Sequence, residues 1–192
     1  MSFLSDFFRK QRNMSIEEVV GFYMKLGFFG KGDPKSTAEK IVAQYQEEWG
    51  DSPDPRKPWD DVFMLALDEE RVWQGDPECD VSEGNNVYTE TLREWSRISQ
   101  GVFQPESIEE VWESEKGPIS VNLTLAGTRH TLRPEWDNDW LDLNILTPIN
   151  KLIAKGGKHL ACASDVNFAI VFPIDQQARK QLTSVRSFPF VL

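Results

Sequence analysis

Histidine and cysteine are scarce, at two of each in 192 residues. Two cysteines, Cys79 and Cys162, are too few for the disulfide framework that staples small exported domains. Both are expected as free thiols, with Cys162 filling core space in the apolar run His159–Ala163. His130 and His159 have no closely spaced Cys or His companion, so no structural zinc set is present in the sequence. No apolar run approaches the roughly 20 residues of a membrane-spanning helix. The first ten residues place Arg9 and Lys10 after the apolar positions, the reverse of a signal peptide. The expectation is a cytoplasmic chain with no membrane attachment.

Catalytic signatures are missing too. Gly27–Gly32 contains a lysine but follows a helical pattern and lacks the Gly-x-x-x-x-Gly-Lys-Ser/Thr spacing, so it reads as a helix stop. There is no Gly-x-Ser-x-Gly elbow and no repeat of 20 to 50 residues. No cofactor is expected.

What is abundant is aromatic area and negative charge. Seven Trp and twelve Phe in a chain that is 40% hydrophobic imply a packed core. The formal net charge is −10, and it is concentrated. Residues 59–118 hold sixteen Asp/Glu against four Lys/Arg, a net of −12, while the remainder is +2. Phosphate binding needs clustered Lys and Arg, so nucleic acid is excluded as the expected partner. A basic protein is the complementary choice.

Periodicity predicts an α+β fold in a single domain. Its N-terminal part, 1–52, is mostly helical, 59–118 is acidic and mixed, and 119–192 runs β-β-α-β-β-α. Helices are expected over 3–11, from the Ser15-x-x-Glu18 capping box to Leu26, and from Ser36 or Thr37 to Trp49. Residues 61–67 fit a buried strand or a short helix, and 71–73 and 78–81 look extended. A helix follows over 86–99. Ile108–Glu113, Ile119–Leu125 and Thr128–Leu132 are expected as strands of one sheet. A helix over 140–154 becomes regular near Pro148, and a second hairpin spans 159–172, ending at Pro173. A short helix from Asp175 to about Leu182 closes the pattern. The expected architecture is an antiparallel sheet of four to six strands with helices packed on it.

Two acidic groups are candidate sites. Asp137, Asp139 and Asp142 offer several oxygens within six residues, though without the glycine and distal glutamate of the helix-loop-helix calcium pattern. They would suit a metal-assisted hydrolase. The second group is the acidic middle, where Trp59, Trp73, Tyr88, Trp95 and Trp112 are interleaved with carboxylates. Aromatic anchors ringed by charge are what a recognition surface uses. Asp76, Glu78 and Asp80 alternate at strand spacing, which would set all three on one face, Pro77 permitting.

The stretch Trp73–Asp80, together with the ending from Trp140–Leu143 through Asn150, Leu160–Phe172 and Gln176–Leu182, resembles the small acidic immunity proteins of bacterial polymorphic toxin systems. That resemblance implies an α+β protein that binds and blocks a toxin without catalysis. The leading expectation is therefore a non-catalytic binder of a basic partner, its contact surface carrying Trp73, Asp76, Glu78, Asp80, Glu109, Glu110 and Glu113. A third reading is a subunit that self-associates through the apolar ends, Phe3-Leu4-Phe7-Phe8 and Phe188–Leu192.

Overall fold

The structure is a computed structural model and describes residues 14–191. The helix expected over 3–11 lies outside the described residues. In chain order the elements are α1 (Ile16–Lys25), α2 (Pro34–Trp49), α3 (Pro58–Ala66), β1 (Trp73–Gly75), α4 (Val87–Ile98), β2 (Ser107–Trp112), β3 (Ile119–Leu125), β4 (Thr128–Leu132), α5 (Leu146–Ile153), β5 (Lys158–Ser164), β6 (Ala169–Asp175) and α6 (Gln176–Gln181). They form two compact units. One comprises the described residues up to Val72 with Gln177–Phe190, and the other Trp73–Gln176 with Val191.

In the first unit the capping box forms as its sequence requires. The Ser15 hydroxyl accepts from the Glu18 N–H, and the Glu18 carboxylate accepts from the Ser15 N–H at 2.8 Å. Helix α2 starts at Pro34, two or three residues earlier than expected. Proline fits the first helical turn, and Asp33 ahead of it accepts from the Ser36 N–H at 2.9 Å. Residues 61–67 resolve as helix rather than strand for the same reason: Pro58 opens α3 and Asp60 and Asp61 follow in its positive first turn.

Three acids of the middle segment are consumed inside this unit. The Asp60 carboxylate accepts from the Asp54 N–H, and that of Asp68 from the Phe29 N–H, each at 2.6 Å. Asp61 is fully buried and is clasped by two nitrogens of buried Arg186, at 2.9 and 3.1 Å. Arg186 ends a π-helical turn, Leu182–Arg186, and also donates to the Pro55 carbonyl. Burial pushes the Asp61 carboxyl up to about 6, against the pull of the guanidinium.

The second unit carries two three-stranded antiparallel sheets, ordered β1-β6-β5 and β2-β3-β4. This corrects the single sheet of four to six strands. The cause is visible at the β5 edge, which is closed to further pairing. The Asn150 side chain of α5 makes both bonds to Leu160, donating to its carbonyl at 2.8 Å and accepting from its N–H at 2.7 Å. Two residues along, the Val191 N–H donates to the Cys162 carbonyl. Burying an edge in this way removes its capacity to template another strand.

Pro173 does not end β6, which continues to Asp175. Pro173 lies opposite Leu160, whose backbone groups point outward to Asn150, so this is a non-hydrogen-bonded pair and the proline nitrogen faces away from β5. On that side β1 pairs only with Ala169–Val171, so no ladder bond is lost. Proline likewise sits in the first turn of α5, which starts at Leu146 after a 3-10 turn, Leu143–Ile145. The expected β2 and the β3–β4 hairpin form, turning through Ala126 and Gly127 at positive φ. Both sheets, α4 and α5 contribute to one core cluster that includes Tyr88, Leu92, Trp95, Val121, Leu146, Leu160 and Val171.

Candidate functional site

Residues 73–80 do not form one strand. β1 stops at Gly75, Pro77 follows, and Asp80 has φ +51°. The Asp76 carboxylate accepts from the Glu78 N–H at 2.9 Å, and Asp80 accepts from the Asn85 side chain through both its carboxylate and its carbonyl. Asp76, Glu78 and Asp80 are therefore held by turns, not by strand alternation, yet all three are exposed.

A distant segment locks onto this loop. The Leu141 N–H donates to the Pro77 carbonyl and the Cys79 N–H to the Asp139 carbonyl, each at 2.8 Å. Glu78 faces Trp140 in an isolated antiparallel bridge. The result is a pair of loops that brings exposed Asp137 and Asp139 beside exposed Asp76, Glu78 and Asp80. None of these five carboxylates is in an ion pair among the described residues. Half-buried Trp140 bridges by its backbone to Glu78 and to Asp137. Nothing local to either segment signals this pairing, because it is made by backbone groups 60 and 64 residues apart.

The candidate metal set is not assembled. Asp142 caps the 3-10 turn: one oxygen accepts from the Asn144 backbone and side-chain nitrogens, and the other from the Glu135 N–H. Among the described residues no three His, Cys, Asp or Glu side chains are grouped to hold a metal ion.

The aromatic residues are mostly interior. Trp95 and Tyr88 have no exposure. Half-buried Trp73 meets Trp95 edge-on, with centroids 5.8 Å apart, and a Cβ at Gly75 would come within 2.6 Å of its ring. Half-buried Trp112 donates its indole N–H to Glu110 at 2.7 Å. The other Glu110 oxygen accepts from the Tyr88 and Thr89 N–H groups at 3.0 and 3.3 Å. Asn86, at the head of α4, makes no side-chain cap bond, so Glu110 is the cap of that helix. Glu110 is thus a fastening between β2 and α4, which sequence reasoning missed. Glu109 and Glu113 are exposed, Glu109 lying 3.3 Å from Arg129.

Comparison with protein-family models, curated proteins and solved structures finds no match.

The same first turn of α4 supports the paired loops. The Tyr88 hydroxyl accepts from the Asp142 N–H at 3.0 Å, and burial raises its pKa well above the ordinary tyrosine value. Cys79 sits half-buried in the acidic loop, where burial and then Asp76 raise its thiol pKa. A thiol so shifted is a poor nucleophile at neutral pH. Exposed carboxylates with no cation beside them set up a negative field that attracts a complementary surface.

Proposed function

We propose that the chain is a non-catalytic protein-binding protein, an immunity-type inhibitor that neutralises a basic toxin. The observation that carries this reading is the meeting of Asp76, Glu78, Asp80, Asp137 and Asp139 on two loops joined at Pro77–Leu141 and Cys79–Asp139. Such carboxylates raise encounter rates with a positive surface and disfavour acidic competitors. Trp140, next to Asp139 in the chain and bridged to Glu78, supplies a half-buried ring, the kind of group that anchors an interface. Exposed Glu109 and Glu113 add negative charge on β2, while Glu110 fastens β2 to α4 and Trp73 packs on Trp95.

The test is co-expression with the product of an adjacent gene that arrests growth on its own. The wild-type chain restores growth, and the variant D76K/E78K/D80K does so less well while remaining folded by circular dichroism. Equal rescue by both would remove the acidic loops from the account.

A further inference from the structure

The two sheets of the second unit differ in how their edges end. The outer edge of β5 is occupied by Asn150 and Val191. The outer edge of β2 makes no such bond among the described residues. β2 is the terminal strand of the order β2-β3-β4, and its pairing places Ser107 opposite Thr124, Glu109 opposite Asn122 and Val111 opposite Ser120. The Glu113 N–H donates to the Pro118 carbonyl, which sets the parity of the ladder. Antiparallel pairs alternate between bonded and non-bonded, so the odd positions bond β3. The backbone N–H and C=O groups of Ile108, Glu110 and Trp112 then point away from the sheet. They make no backbone bond outside the β2–β3 ladder among the described residues.

The side chains along this edge say what would pair with it. The solvent face presents exposed Ser107, Glu109, Val111 and Glu113. The opposite face presents half-buried Ile108 and Trp112, both packed against the core cluster. Residues 106–116 contain five Glu and one Lys. Like charges placed directly opposite each other oppose pairing of β2 with a second β2, whereas cross-strand pairs of opposite charge favour it.

We propose that the outer edge of β2 accepts an extended cationic segment of the partner as a fourth antiparallel strand. This rests on the basic-partner reading and adds the mode of contact. The occupant alternates Lys or Arg with apolar residues. Its basic side chains lie beside Glu109 and Glu113, and its apolar ones beside Ile108 and Trp112. Residues directly opposite in a ladder share a face, so the apolar positions of the added strand are the ones that exchange backbone bonds with Ile108, Glu110 and Trp112. In strand addition the main-chain bonds carry affinity and the alternate side chains carry selectivity.

The experiment titrates the full chain with a nine-residue peptide alternating Lys and Val. Two variants of that peptide are N-methylated at either the Val or the Lys positions. Amide hydrogen exchange is followed by NMR. The expected result is that the parent peptide slows exchange at Ile108, Glu110 and Trp112 by about tenfold or more. Methylation at Lys preserves this and methylation at Val abolishes it. Binding that is indifferent to both methylations overturns strand addition but leaves the acidic-surface reading standing. Absence of binding by every cationic peptide at low salt overturns both. A rise in mass with concentration, in the absence of peptide, that itself protects the three amides assigns the edge to self-assembly and overturns the proposal.

Discussion

Glu110 separates support from surface, and its replacement can be worked through bond by bond. Alanine there removes the acceptor for the Tyr88 and Thr89 N–H groups, and Asn86 makes no bond to replace it. Loss of a helix N-cap costs about 1 kcal/mol, and up to about 2. The missing negative charge at the helix start adds about 0.5 kcal/mol. The Trp112 indole N–H, half-buried, loses its acceptor at a further cost of about 1 kcal/mol. The total is about 2.5 kcal/mol for Glu110→Ala. Glu110→Gln keeps one carbonyl oxygen and costs about 1 kcal/mol. Glu109→Ala and Glu113→Ala, on the exposed face, change stability by no more than about 0.5 kcal/mol. The assay is native-state hydrogen exchange at the amides of α4, because a chain of two units need not unfold in one step. Equal destabilisation by Glu109→Ala and Glu110→Ala would refute the assignment of Glu110 as cap.

Four further predictions concern the interior. The Asp61 carboxyl is raised by burial to about 6, from an ordinary value near ~4, so the folded state binds more protons than the unfolded chain between those values. Its contribution to stability is therefore greatest below about pH 4 and declines as pH rises to about 6; urea midpoints measured across this window should show that slope, and Asp61→Asn should remove it. Arg186→Met leaves a buried carboxylate without its cation and costs about 3 to 5 kcal/mol at neutral pH, read by the same denaturation. Cys162 has no exposure and burial pushes its thiol up to about 12, so in the native protein a disulfide reagent should modify half-buried Cys79 first, with Cys162 labelling only on opening. Gly75→Ala forces the Trp73 ring off Trp95, at about 1 to 3 kcal/mol and with an altered near-ultraviolet dichroism.

Local chemistry was legible where it is self-contained. The Ser15 and Glu18 capping box, the β3–β4 hairpin and the helix over 86–99 all follow from neighbours within a few residues, and all form. Pro173 was over-read as a strand end. It is tolerated inside β6 because β1 is too short to reach it, a fact about pairing that no single strand reveals. The closing of the β5 edge depends on Asn150 reaching Leu160, an amide that reads as one more position on a helix. The acidic middle looked uniform by count, but its members have different fates. Asp60, Asp61 and Asp68 are buried and bonded, Glu110 is a cap, and Asp76, Glu78 and Asp80 stay exposed. Asp137 and Asp139 join those three through backbone bonds that leave no trace in residue type.

The association rate constant with a basic partner, measured against ionic strength for the wild-type chain and for D76K/E78K/D80K, tests the acidic surface most directly. The account predicts that the wild-type rate falls steeply with salt, and that the variant is slower by about tenfold or more at low salt. The two should converge near 1 M, where the Debye length is about 3 Å. Superimposable salt profiles for the two proteins would contradict it.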